Sequence, residues 1–248
     1  MSLPPELIHR VLDSLRDDRQ SLLATSLVSK AWTTWSQAHL FESVHLTPMN
    51  LQRWLKNVPP GVGGPASHTR TLTLEEYRLQ PWIIPQNLEF PLSNLASFRH
   101  VGSLAMIQWN ATPFNSTSPE PYFGHFSESV RALSLQFCVL DPVALFNFFS
   151  LLPNVQDLEI AYLFPNPGSP DTTPAIPEVT PSFCGTLSLA DLTSGHHILE
   201  AIAALPLRFT TVAIRGCTFY EPGAYQTLLA RCRDTLVTLR FEKSYRGV

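Results

Sequence analysis

Histidine, cysteine and paired acidic side chains are the residues of this sequence that could perform catalysis or bind a metal ion. His196 and His197 are adjacent at a predicted helix start, without carboxylate or cysteine ligands at a useful spacing. The acid pairs Glu75-Glu76 and Asp17-Asp18 are typical of solvated charges or helix caps. No G-x-S-x-G or H-E-x-x-H motif occurs. We therefore expect a non-catalytic protein without cofactor or metal, with a hydrolase site assembled across the fold as an alternative.

The cysteine spacing, the absence of long apolar runs and the net charge indicate a cellular compartment and exclude some classes of partner. Cys138, Cys184, Cys217 and Cys232 form no C-x-x-C pair. The sequence opens without a basic-then-apolar leader and has no apolar run of membrane-spanning length, so we expect free thiols in the cytoplasm or nucleus. Net charge is −3 and charged residues make up 15% of the chain, so neither nucleic acid nor a membrane is an expected partner.

The positions that could bind a partner begin in the N-terminal segment, which has the pattern of three short amphipathic helices. Pro4 and Pro5 suit the first turn of a helix, and Asp18 is a candidate N-cap for the second. The predicted third helix carries Leu27, Val28, Ala31, Trp32 and Trp35. The predicted core of the module is Leu7, Val11, Leu15, Leu22, Leu23 and Trp35. So small a unit buries little surface alone, which predicts an interaction module.

The residues of this segment resemble the F-box. The matching stretches are Leu3-Pro4-Pro5-Glu6-Leu7-Ile8, Val11-Leu12 and Leu27-Val28-Ser29-Lys30-Ala31-Trp32, against L-P-x-E-L/I, an apolar pair and V/C-x-K-x-W. Ser29 stands where many members have cysteine. In that family the module binds the Skp-type adaptor of cullin–RING ubiquitin ligases. The resemblance implies an adaptor-binding set of Leu3, Pro4, Glu6, Ile8, Leu12, Leu27, Val28, Lys30 and Trp32.

A repeat of apolar residues runs through the rest of the chain. Its central pairs are Val44/Leu46, Leu72/Leu74, Leu104/Met106, Leu133/Leu135, Leu158/Ile160, Leu187/Leu189, Val212/Ile214 and Leu239/Phe241, at steps of 25–32 residues. The alternation predicts a strand in each copy, with both marked side chains on one buried face. Helices are predicted from Pro142 with Asp141 as cap, from His197 to Leu205, and from Pro222 to Cys232.

Strand and helix at this period resemble a degenerate leucine-rich repeat. Cys138 and Cys217 fall on the N/C position of its consensus, which favours a structural role for both. The resemblance implies an α/β fold: an N-terminal three-helix module over residues 1–46, then a solenoid over 47–248 with parallel strands and helical or irregular crossovers. A plain α/β sheet is the alternative. Proline-, glycine- or serine-rich stretches at 58–68, 110–128 and 164–183 are expected to be surface insertions.

These elements together predict a substrate-receptor subunit of an SCF-type (Skp–cullin–F-box) ubiquitin ligase. The solenoid would bind a target through strand side chains that point away from the core: His45, Thr73, Glu75, Ser134, Gln136, Glu159, Ser188, Arg215, Arg240 and Glu242. The alternative is a non-catalytic binding scaffold whose F-box-like helices only cap the solenoid, because repeat arrays need polar terminal caps.

Overall fold

The computed structural model describes residues 4–58, 64–76, 92–111, 118–164, 181, 183–192, 196–216 and 222–242. The described chain is α/β. Its α-helices are α1 Pro5–Ser14, α2 Arg19–Ser26, α3 Lys30–Leu40, α4 Pro48–Asn57, α5 Glu120–Phe123, α6 Pro142–Leu151, α7 His196–Ala203 and α8 Pro222–Cys232. Its strands are β1 Ser43–Leu46, β2 Thr71–Glu75, β3 Ser103–Ile107, β4 Ala132–Gln136, β5 Asp157–Ala161, β6 Thr186–Ala190, β7 Thr211–Arg215 and β8 Thr238–Glu242. Short 3-10 helices cover Pro65–His68, Leu92–Ser97 and Gly124–Phe126.

Helices α1 to α3 pack around a small core of their own. Its buried members are Ile8, Leu12, Leu22 and Leu40. Asp18 caps α2, as predicted, by accepting hydrogen bonds from the backbone of Gln20 and Ser21. The Ser21 hydroxyl also donates to this carboxylate, and that bond is the main cause that holds the pKa of Asp18 below its usual range. The capping carboxylate therefore stays ionised to a lower pH than an unperturbed aspartate does.

One expectation for the N-terminal segment is corrected: Leu27 and Val28 lie in the connection between α2 and α3, because α3 begins only at Lys30. The strand predicted at Val44/Leu46 is β1, the first strand of the sheet, and the domain boundary after residue 46 stays a prediction. Phe41 packs against both the helical core and the sheet core, so the module is attached directly to the first strand.

All eight strands form one parallel sheet in chain order, β1 to β8. The repeat pairs lie side by side: Leu104 is the register partner of Leu133, and Leu133 of Leu158. This register stacks the marked side chains into two continuous buried rows, as the alternation predicted. The last pair is the exception, because Leu239 and Phe241 are exposed while the equivalent side chains of β1 to β7 are buried.

The crossovers agree with the sequence where helices were predicted. The Asp141 carboxylate accepts from the backbone of Ala144 at 3.0 Å and caps α6. The expectation of surface insertions is wrong for part of the second stretch, since Phe123 and Phe126 are fully buried. Both rings lie in the main core although the residues around them are polar, and Phe123 anchors α5 there. Residues 165–180, the larger part of the third stretch, lie outside the described residues.

Aromatic rings connect successive crossovers behind the sheet. The centroid distances are 5.5 Å for Trp54–Phe98, 5.2 Å for Phe123–Phe148, 5.0 Å for Phe149–Phe183 and 5.2 Å for Phe183–Phe209. Stacked, edge-to-face and tilted pairs at such distances contribute stability beyond that of burying their apolar surface. Phe183 touches rings of α6 and of the segment before β7, so it joins neighbouring repeats.

Gly216 is required by the turn after β7. Its φ is +63°, and an added Cβ would clash with the Asp191 carboxylate. We expect Gly216→Ala to lower the free energy of unfolding by about 1–2 kcal/mol. Gly223 in α8 is the matched control, because a Cβ there meets nothing within 4 Å. Gly223→Ala should leave stability unchanged or raise it by up to about 1 kcal/mol. Urea denaturation measures both, and equal losses would contradict the assignment.

Candidate binding surfaces

The large apolar side chains that are exposed in the described residues fall into three patches, with Met49 apart from them. The helical patch is Leu7, Val11, Leu23, Leu27, Val28 and Trp35; the aromatic shelf is Phe137, Tyr162 and Phe164; the terminal-strand patch is Val237, Leu239 and Phe241. Scattered single apolar residues need no explanation, but grouped ones mark surfaces that bind other molecules.

The helical patch includes residues of all three N-terminal helices. On α1, the structure reverses the predicted assignment of buried and exposed side chains. Ile8 and Leu12, implied to face an adaptor, are buried in the module. Leu7 and Val11, predicted as core, are exposed, as are Leu23 and Trp35. Residues four apart share one face of a helix. Helix α1 meets its neighbours through the Ile8/Leu12 ridge and beside it, where the ring centroids of His9 and Trp35 lie 3.7 Å apart and Asp13 lies 3.3 Å from His39. The Leu7/Val11 ridge therefore points outward.

The other implied adaptor contacts are placed as follows. Pro4, Glu6 and Lys30 are exposed, and Trp32 is half-buried against the helical core. Leu27 and Val28 are 86% and 66% exposed, which leaves both side chains available to a partner. Leu3 lies outside the described residues. The connection between α2 and α3 thus presents the most accessible apolar pair of the module.

The predicted target-binding strip lies on the face of the sheet opposite the core. Register alignment places Ser134 beside Glu159, and Glu159 beside Ser188. The remaining members occupy the same face: His45, Thr73, Glu75, Gln136, Arg215, Arg240 and Glu242. These side chains therefore share one face of the sheet, as predicted, and their contact with a target stays a prediction.

Several polar groups of the strip already bind one another. Glu159 accepts hydrogen bonds from the Ser134 hydroxyl at 2.8 Å and from the Gln136 amide at 3.3 Å. His45 and Glu75 approach to 2.7 Å, and Arg215 and Glu242 to 3.0 Å. A partner therefore meets a surface whose charged side chains are held in place, which lowers the entropy lost on binding.

Charge on this face is one-sided between β2 and β6. The described residues there include the acids Glu75, Asp157 and Glu159, and no lysine or arginine. Asp157 accepts from the backbone of Thr186 at 2.6 Å and supports the start of β6. The middle of the sheet therefore favours basic rather than acidic partners.

The aromatic shelf was not predicted from the sequence, because the repeat consensus marks the position after it, which is Cys138 after β4. Phe137 and Tyr162 are the first residues beyond β4 and β5, and their rings stack in parallel with centroids 4.5 Å apart. The signal was available: an aromatic residue stands where a chain leaving a strand commonly turns with glycine, asparagine or aspartate.

Cys138 has a structural role, as its consensus position predicted. It is buried, and its thiol lies 3.4 Å from the backbone oxygens of Met106 and Gln136. Burial raises the pKa of this thiol to about 12, which removes it as a nucleophile near neutral pH. Cys217 lies outside the described residues.

No protein-family model matches this chain, and no curated protein is significantly similar to it. Among the described residues no group of three or more histidine, cysteine, aspartate or glutamate side chains could hold a metal ion. None of the helices in the described part of the chain combines the length and apolar character needed to cross a membrane.

Proposed function

We propose that this chain is the substrate-receptor subunit of an SCF-type ubiquitin ligase. Its N-terminal helices bind a Skp-type adaptor, and through it a cullin–RING ligase, while the sheet binds a target protein. The observation that carries the proposal is the helical patch, which remains exposed although the module has a core of its own and is packed on the sheet. The resemblance of residues 2–46 to the F-box suggests the Skp-type adaptor as the partner of this patch.

The proposed mechanism is tethering without chemistry in this chain. An adaptor-bound module and a target-bound sheet hold both partners on one body, since Phe41 packs against the cores of both. The effective concentration of target lysines near the charged transfer enzyme rises accordingly.

The second candidate is a binding scaffold whose helices only cap the first strand. The packing of Phe41 on both cores favours it. A cap, however, needs an apolar inner face and a polar outer face. The six apolar side chains of the helical patch stay exposed in the presence of the sheet, which favours a docking function instead.

The test is direct binding of the purified chain to a purified Skp-type adaptor, measured by isothermal titration calorimetry. We expect saturable one-to-one binding with a negative heat-capacity change, because apolar surface is buried. An absence of binding at the highest soluble concentration would favour the capping function.

A further inference from the structure

The aromatic shelf combines backbone strain with exposed rings. Phe137 and Tyr162 have φ values of +55° and +52°, a left-handed conformation that bulky side chains rarely adopt. The same position after neighbouring strands holds Gln108, Asp191 and Gly216. Two adjacent strands are therefore followed by a bulky residue at a turn that favours glycine, asparagine or aspartate, and strain retained in this way is characteristic of functional positions.

The geometry of the shelf makes it a preformed anchor. The two rings are stacked with planes 1° apart, and they are 40% and 37% exposed. Phe164 follows at the same edge, where a parallel bridge joins it to Val139. Stacked rings on hydrogen-bonded backbone have little conformational freedom to lose, which is typical of residues that dominate binding energy.

An acidic side chain lies beside the shelf. The Glu159 carboxylate is held next to Gln136, the residue before Phe137. Asp191 occupies the turn after Tyr162 along the sheet, but its carboxylate is directed toward Gly216, and Arg215 lies beside it. Ser134 and Gln136 fix one oxygen of the Glu159 carboxylate. No lysine or arginine is present on this face among the described residues of β2 to β6. Aromatic faces beside carboxylates favour a cation, and most of all a planar guanidinium.

We propose that the aromatic shelf, with Glu159, binds an arginine-bearing, extended basic segment of the target protein. A guanidinium group stacks on the exposed rings, and the Glu159 carboxylate supplies the counter-charge. This inference rests on the target-binding half of the proposed function and leaves the adaptor surface untouched.

The experiment uses the full chain and an acetylated hexa-arginine amide as probe, with the uncharged hexa-citrulline peptide as its match. The variant is Phe137→Gly with Tyr162→Gly, which removes both rings and also relieves the left-handed strain, so the fold is retained. We expect this variant to bind hexa-arginine about tenfold more weakly, and Glu159→Gln about threefold more weakly. Calorimetry provides the affinities, and a thermal melt checks the fold.

Phe241→Ala is the control, because it removes an exposed ring from the other end of the sheet and should not change the affinity. Three results would overturn the inference: no binding of hexa-arginine, equal binding of hexa-citrulline, or unchanged affinity in the double glycine variant. Adaptor binding, measured on the same samples, should be normal in every variant. Loss of adaptor binding by the wild-type chain would instead count against the proposed function.

Discussion

Leu27→Asp combined with Val28→Asp is expected to weaken binding of a Skp-type adaptor by at least about a hundredfold. Both side chains are among the most exposed apolar groups of the described residues, and they lie in the connection between α2 and α3. Burying two carboxylates against an apolar partner costs more than the lost contacts alone. Neither side chain contributes to the module core, so the thermal melt should stay near that of the wild type.

The control for this variant is Val237→Asp, which introduces one aspartate at a comparably exposed valine beside β8. Its affinity for the adaptor should equal that of the wild type in the same calorimetric titration. Retained binding by the double aspartate variant, or an equal loss in the control, would show that the docking surface is wrongly placed.

Phe183→Ala should lower the free energy of unfolding by about 3–5 kcal/mol. The ring is fully buried and packs against Phe149 at 5.0 Å and Phe209 at 5.2 Å, so its removal leaves a cavity between two repeats. Urea denaturation followed by tryptophan fluorescence and circular dichroism measures the loss.

Because each strand of the sheet pairs only with its neighbours in chain order, the cavity should also uncouple the two halves of the sheet. The two probes would then report separate transitions, since the five tryptophans all precede Phe183 in the chain. Phe241→Ala, which removes a mostly exposed ring, should change stability by less than about 0.5 kcal/mol. Similar losses for both substitutions would contradict this account of the core.

The strands were predictable because their burial follows a period of two. A strand buried on one face must alternate, and a register slip would expose every apolar side chain of that strand, so the pattern Leu133-x-Leu135 determines both strand and facing. The start of α6 was predictable from neighbouring residues alone. Asp141 supplies a side-chain cap, and the proline after it has no N–H that would be left unpaired in the first turn.

Features that depend on contacts between repeats were not predictable in this way. Ahead of β6, Phe183 is fully buried in the core while its neighbour Cys184 is exposed. In an irregular segment the buried residue can shift by one position, and a periodic pattern does not predict such a shift. Phe123 and Phe126 were not predicted to be buried, because the residues around them are rich in proline and serine, which is typical of surface segments.

The helical module shows a different limit. Leu7, Ile8, Val11 and Leu12 form one wide apolar stripe, and the sequence does not state which ridge meets the neighbouring helices. Only the packing of α1 on α2 and α3 separates the buried Ile8/Leu12 ridge from the exposed Leu7/Val11 ridge. The outward ridge then becomes part of the surface on which the proposed function depends.

Amide hydrogen exchange of the full chain, with and without saturating Skp-type adaptor, tests the central claim most directly. An adaptor that covers the helical patch should slow exchange in α1, α2 and the connection to α3, because opening those helices would then require its release. Exchange in β8 at the far end of the sheet should not change. Unaltered exchange throughout the N-terminal helices in the presence of adaptor would contradict the account.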